Sequence, residues 1–296
     1  MSARPHGLVA LGLLAVAACA PQAAPVPAPA RPNLVAACAG RDGWSDPAPP
    51  APVFGNVYDV GTCGITVLLI TSPQGHILID GATEEAVPSI LANIRALGFR
   101  PGDIRWLLAS HEHVDHAGGL AALKQATGAR LAVRAEARRA FETGEPDPQD
   151  PQLGLSTFAP VKVDRVLADG EVVTLGPLAL TAHATPGHTP GSTSWTWRSC
   201  EGETCHAMAY VDSLTAVSAD AYRFTDHPAY VATFRRTLGQ VGQLDCEILM
   251  TPHPSASALF ERLAGTQPLA DPAACRRYAE NGRERLDARL AREAGR

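Results

Sequence analysis

The sequence lacks the marks of several protein classes. It has no basic excess: 25 Lys and Arg stand against 30 Asp and Glu, for a formal net charge of −5. A nucleic acid is therefore not an expected partner. The apolar run Leu8 to Ala18 is too short to cross a bilayer as a helix, which takes about 20 residues. No C-x-x-C pair stands beside a histidine cluster, so the seven cysteines do not read as zinc ligands. From Ala20 to Pro32 the chain is mostly Ala and Pro, with almost nothing to bury, and reads as an extended tether.

What is present begins with a leader. Residues 1–18 carry one charge, Arg4, ahead of the apolar run, as an export signal does. Val16-Ala17-Ala18-Cys19 resembles a lipobox, in which Cys19 would take the lipid and become the first mature residue. An ordinary cut after Ala18 or Ala20 is the alternative, and either implies export. The expected organisation is signal 1–18, tether 19–32 and one domain over 33–296. Apolar content of 46% is enough for a sizeable core.

With Cys19 set aside, six cysteines remain, an even number that favours disulfides in an exported protein. Cys200 and Cys205 are spaced to close a hairpin loop. Cys246 and Cys275 would tie a late strand to the last helix, which leaves Cys38 for Cys63.

Short β-rich runs and helical patterns alternate in two halves, each running strands first and helices after. Val53 to Asp59, Ile65 to Thr71, His76 to Asp80 and Ile104 to Ala109 read as strands, and Glu84 to Leu97 as a helix. The second half repeats the order, with helices over 228–241, 255–263 and 272–291. Two sheets packed face to face, helices on their outer faces, is the natural assembly. Gly144 to Pro160 is long for a loop and is expected to act as a lid.

The densest chemistry lies in Ser110 to Gly119, SHEHVDHAGG, on a strand-to-helix loop. It holds His111, His113, Asp115 and His116 within six residues. Two more histidines sit among turn residues after strands: His188 in TPGHTPG and His253 in TPHP. Five histidines and one carboxylate suit two Zn2+ ions with open positions. By reach, His111, His113 and His188 would hold one ion, and Asp115, His116 and His253 the other. Such a pair forms a hydrolytic clamp. His183 reads as a strand-end residue, and Trp195 and Trp197 as packing residues on one strand face.

On His111 to Gly119, Asp80, His188, His253 and the strand order, nearly all of residues 33–296 resemble the metallo-β-lactamase superfamily. The resemblance implies an α/β fold, an αββα sandwich of two facing mixed sheets. It makes Asp80 a carboxylate that orients a metal ligand. Glyoxalase II hydrolases, lactonases, persulfide dioxygenases and RNA-processing nucleases share the fold, so the motif does not name the substrate.

The stretch Tyr210 to Ala216, YVDSLTA, discriminates among them. Glyoxalase-like and lactonase members end this strand in an aspartate that bridges both metals. The B3 subclass of metallo-β-lactamases has a serine there. Side chains alternate along a strand, so Asp212 and Ser213 cannot both face the metals. The Asp-Ser-Leu-Thr-Ala pattern looks like B3. The resemblance then implies hydrolysis of the β-lactam amide by a hydroxide shared by two zinc ions. Asp115 would orient that hydroxide, and no acyl-enzyme would form. The absence of S-x-x-K fits this. Ser213 and Thr215 would hydrogen-bond the substrate carboxylate, and Gln152 would reach the substrate from the long loop. Glu112 departs from the B3 pattern and is expected to point at solvent. A same-fold lactonase or glyoxalase-like thioesterase, and a non-catalytic exported metal-binding protein, are the alternatives. The expected setting is the periplasm, as a monomer attached to a membrane only through a lipid on Cys19.

Overall fold

The computed structural model describes residues 1–2, 31–154 and 157–295. Most of the expected leader and tether, Cys19 included, lies outside them. Among the described residues no helix is long and apolar enough to cross a membrane.

Seven strands form the first sheet in chain order: β1 (Ala51–Phe54), β2 (Val57–Asp59), β3 (Leu68–Ser72), β4 (Gly75–Ile79), β5 (Ile104–Leu108), β6 (Arg130–Arg134) and β7 (Arg165–Leu167). Neighbours run antiparallel from β1 to β4 and parallel from β4 to β7. The second sheet has β8 (Val172–Leu175), β9 (Leu178–Ala184), β10 (Thr193–Glu201), β11 (Thr204–Tyr210) and β12 (Ile248–Met250), in the order β12-β11-β10-β9-β8. Only β11 and β12 are parallel in it. The helices are α1 (Leu34–Ala37), α2 (Val87–Ala96), α3 (Val114–Ala117), α4 (Leu120–Thr127), α5 (Ala135–Thr143), α6 (Pro228–Val241), α7 (Leu259–Leu263) and α8 (Ala274–Ala294).

Strand alternation builds the layers. Leu68 and Ile70 of β3 point inward and meet Trp195, Trp197, Met208 and Tyr210 from the second sheet. Leu69 between them points outward, where Ile90 and Ile94 of α2, Leu120 and Leu123 of α4 and Phe141 of α5 cover it. On the opposite side Ala209 and Val211 alternate with Met208 and Tyr210 and lie under Phe234 and Leu238 of α6 and Tyr278 of α8. Two apolar faces per sheet explain why several strands read as unbroken apolar runs. The expected sandwich of two mixed sheets with helices outside is observed.

One expected strand is two. Val53 to Asp59 breaks at Gly55 and Asn56, where the chain turns back and Phe54 pairs with Val57. Gly55 takes φ +56°, a left-handed value that glycine adopts without steric cost. Sulfur pairs join Cys38 to Cys63, Cys200 to Cys205 and Cys246 to Cys275 in the structure, the pairing expected from spacing. Trp195 binds the layers at the functional end: its indole N–H donates to Ala109 O at 3.0 Å, just past β5.

Candidate metal centre

The parallel strands β4 and β5 end side by side, and their exits build the floor of the site. Asp80 follows β4 with φ +66°, a conformation that aspartate tolerates better than most residues. Its fully buried carboxylate accepts from Ser110 N at 2.6 Å, Ser110 Oγ at 2.7 Å and Tyr210 Oη at 2.7 Å. This fixes the first residue of the histidine loop. Two short helices, α3 and α4, then carry the loop away, close against the turn after β4. A Cβ on Gly119 would lie 2.2 Å from Gly81 O, so only glycine permits that approach.

The loop places His111, Asp115 and His116 together, and the turn between β9 and β10 brings His188 to His111 and His113. Candidate ligand atoms of His111, His113 and His188 lie within 4.8 Å of one another, as do those of His111, Asp115 and His116. His253, which follows β12, has Nε2 3.4 Å from Asp115 Oδ2, and its ring centroid is 5.1 Å from that of His116. His253 thus lies beside the second group, while the tight triplet around Asp115 takes in His111.

Four of the five rings have a hydrogen-bonding partner behind them, and the fifth, His116, has carboxylates nearby. His111 Nδ1 meets Asp212 Oδ1 at 2.7 Å. His113 Nε2 meets Asp150 Oδ2 at 2.9 Å. His188 Nδ1 meets Thr215 Oγ1 at 2.9 Å, and His253 Nδ1 meets Gly64 O at 3.1 Å. His116 Nδ1 lies 3.3 Å from Asp80 Oδ2, and its Nε2 lies 3.2 Å from Asp115 Oδ2. An acceptor on one ring nitrogen fixes the tautomer and leaves the other nitrogen's lone pair for a metal.

Electrostatics agree with that assignment at two of the rings. Burial, then the neighbouring imidazoles, holds the pKa of His111 well below its usual value, and the same causes lower His188 to about 4. Both rings are therefore neutral ligands near pH 7. His116 is different. Burial opposes its charge, but Asp115 and then Asp80 outweigh burial and push it up to about 10. Asp115 is the reciprocal case: burial would raise it, yet His116, His111 and His253 hold it far below the carboxylate range. A cationic partner is what this buried carboxylate requires.

The donor set fits zinc. Three imidazoles meet at one point, and a carboxylate with two imidazoles at another. Buried His111 Nε2 has no hydrogen-bond partner, and on a neutral ring its lone pair is free for an electrophile.

The other expected residues fall as follows. Gln152 reaches over the site, its Nε2 3.4 Å from His188 Nε2. Ser213 is buried beside Asp212. The hydroxyl of Thr215 lies 2.9 Å from His188 Nδ1, and a hydroxyl that accepts there keeps its own O–H as a donor. Glu112 was expected in solvent and is 2% exposed. It accepts from Thr189 Oγ1 at 2.9 Å and Gly191 N at 2.9 Å, tying the first histidine loop to the turn that bears His188. Burial pushes its pKa up to about 7. His183 lies outside the cluster, bonded to Thr196 Oγ1 at 2.7 Å. Sequence reasoning missed Asp150 and the role of Asp212 behind His111; neither has a local signal.

A family model described as the metallo-beta-lactamase superfamily matches residues 60–201. The crystal structure of the metallo-β-lactamase MIM-1 from Novosphingobium pentaromativorans superposes with a TM-score of 0.87. It is 54% identical, and the match covers 88% of this chain and 98% of that one. MEM-A1, a subclass B3 metallo-β-lactamase isolated from a soil metagenome library, gives 0.83 at 45% identity, covering 86% and 99%. Among curated sequences, a hydroxyacylglutathione hydrolase of Anaeromyxobacter dehalogenans is 38% identical over 57% of this chain and 52% of its own length. The chain spans about half the length of the curated relatives it matches first.

Proposed function

Since the chain belongs to the metallo-β-lactamase superfamily and is most like its subclass B3 members, we propose that this hydrolase opens the amide bond of β-lactams with two zinc ions. His111, His113 and His188 would hold one ion; Asp115, His116 and His253 would hold the other. Two such ions supply a Lewis acid for the lactam carbonyl and a water activated near neutral pH.

The protein's own residues would do the rest. Asp115 Oδ2, facing His116 Nε2 and His253 Nε2, would accept a hydrogen bond from the attacking water and aim its lone pair at the carbonyl carbon. Addition of water and cleavage of the C–N bond leave a carboxylate and an amine, so one proton must reach the departing nitrogen. Gln152, which borders the site, and Ser213 would orient the substrate, whose own carboxylate Ser213 Oγ would bind. Thr215 would accept from His188 Nδ1 and donate its own O–H to the same carboxylate.

The observation that carries β-lactams over thioesters or lactones is the position of Asp212. Its Oδ1 lies 2.7 Å from His111 Nδ1, on the rear of that ring, and it joins neither ligand group among the described residues. A bridging aspartate, the mark of the glyoxalase-like alternative, would stand at the front. The test is turnover of a chromogenic cephalosporin, alongside an acyl-homoserine lactone and a glutathione thioester. Cephalosporin hydrolysis lost on chelation and restored by zinc is expected. Zinc-loaded protein that cleaves only the thioester or lactone would replace the proposal, and protein that cleaves none would remove it.

We also propose export to the periplasm, supported by the leader-like residues 1–18 and the three sulfur pairs. A lipid mass on Cys19 distinguishes anchored from soluble forms.

A further inference from the structure

Four of the five ring acceptors belong to the sheet ends or to backbone near them. The fifth does not. Asp150 lies in the long segment between α5 and β7, yet it is fully buried. One of its oxygens, Oδ2, meets His113 Nε2 at 2.9 Å. The other, Oδ1, accepts the backbone N–H of Gln152 at 2.8 Å. The next residue, Pro151, accepts from Ala219 N at 2.9 Å, joining this segment to the stretch after β11 that carries Asp212 and Thr215.

We infer that Asp150 is a positioning residue that couples metal loading to the seating of the loop. One carboxylate does two things. It keeps the proton of His113 on Nε2, so that Nδ1 is left as the donor to the metal. It also sets the backbone of Gln152, whose side chain ends 3.4 Å from His188 Nε2. A loop that lifts takes the acceptor away from His113, and a His113 that rotates frees the turn at Gln152. Coupling of this kind is reciprocal. The inference rests on His113 being a metal ligand.

Asp150→Asn tests it with almost no change of volume. An amide whose oxygen takes the Gln152 N–H presents its NH2 to His113. The ring must then accept at Nε2 and carry its proton on Nδ1, which blocks metal binding. Zinc affinity is read by competition with a chromogenic chelator, without substrate. Amide hydrogen exchange at residues 149–153 is read with and without zinc.

Asp150→Asn is expected to lower zinc affinity by about 10- to 100-fold. It should also abolish the slowing of exchange that zinc produces in the wild-type loop. Gln152→Ala should leave zinc affinity within about twofold and raise KM instead. Wild-type zinc affinity in Asp150→Asn, or an unchanged exchange response, overturns the inference. A lower melting temperature of the metal-free variant with unaltered zinc affinity overturns it too, since that marks a structural role. Wild-type protein that binds no zinc removes the proposed function as well, so the two failures are distinguishable.

Discussion

Asp59 gives a test of the fold that does not involve the metal site. It ends β2 and is 4% exposed, and its Oδ1 accepts from Gly61 N at 3.0 Å and Val67 N at 3.3 Å. Burial and the two hydrogen bonds act in opposite directions, and burial wins: the pKa rises from 3.8 to about 7. Tyr210 is the titratable neighbour, and it is itself held neutral. Between pH 4 and 7 the folded protein thus keeps a proton that the unfolded chain has released. The contribution of this group to stability is complete at low pH and is lost as pH rises through the folded value. Each unit is about 1.4 kcal/mol, so the loss from pH 5 to pH 7 is roughly 3 kcal/mol. Asp59→Asn keeps an acceptor for the two amides and does not titrate. Urea unfolding of both proteins in chelator, at pH 5 and pH 8, should show the stability gap moving roughly 3 kcal/mol in favour of the variant. Protonation of the metal ligands is common to both proteins and cancels in the difference. An unchanged gap would mean that the two amides hold Asp59 ionised and that burial had been overweighted.

Three further outcomes are expected. Gly187→Ala puts a Cβ 2.2 Å from Cδ2 of the buried Phe234 ring; it should cost about 1–3 kcal/mol and weaken zinc binding through His188, measured by melting and metal titration. Asp80→Ala leaves Ser110 and Tyr210 donors without a partner and places Ala at a left-handed φ, for a loss of at least about 3 kcal/mol; Asp80→Asn, which tolerates that conformation and keeps an acceptor, should be milder in denaturant melts. Replacing Cys246 and Cys275 together with Ser releases a closure across 29 residues and should lower stability by about 3–4 kcal/mol, with peptide mapping under non-reducing conditions checking the pairing.

The sandwich could be read from sequence where the physics is local. Leu68 to Ile70 is apolar because both faces of β3 are covered, and α6 spans 228–241 as its pattern indicates. The histidine cluster was visible for the same reason: four of its members lie within six residues. What stands behind those rings was not. His111 and Asp212 are 101 residues apart, and His113 and Asp150 are 37 apart. Their encounters depend on how two sheets and a long loop converge, which no spacing encodes. Glu112 misled for a related reason. A charged residue in a loop normally faces water, but here Thr189 and Gly191 arrive from a segment some 77 residues downstream to satisfy it.

The five histidines do not come from one layer. His111, His113 and His116 follow β5 of the seven-stranded sheet, whereas His188 and His253 leave β9 and β12 of the five-stranded one. Ions held jointly by these residues, as in the proposed function, would act as rivets through the seam of the sandwich. The layers could not slide or part while the rivets held. Each ion at a free concentration a thousandfold above its Kd would add about 4 kcal/mol to the resistance of the whole body to unfolding. Under the proposed function, zinc supply would then set the survival of the chain among proteases as well as its turnover, and metal starvation would shorten the life of the molecule as it silenced it.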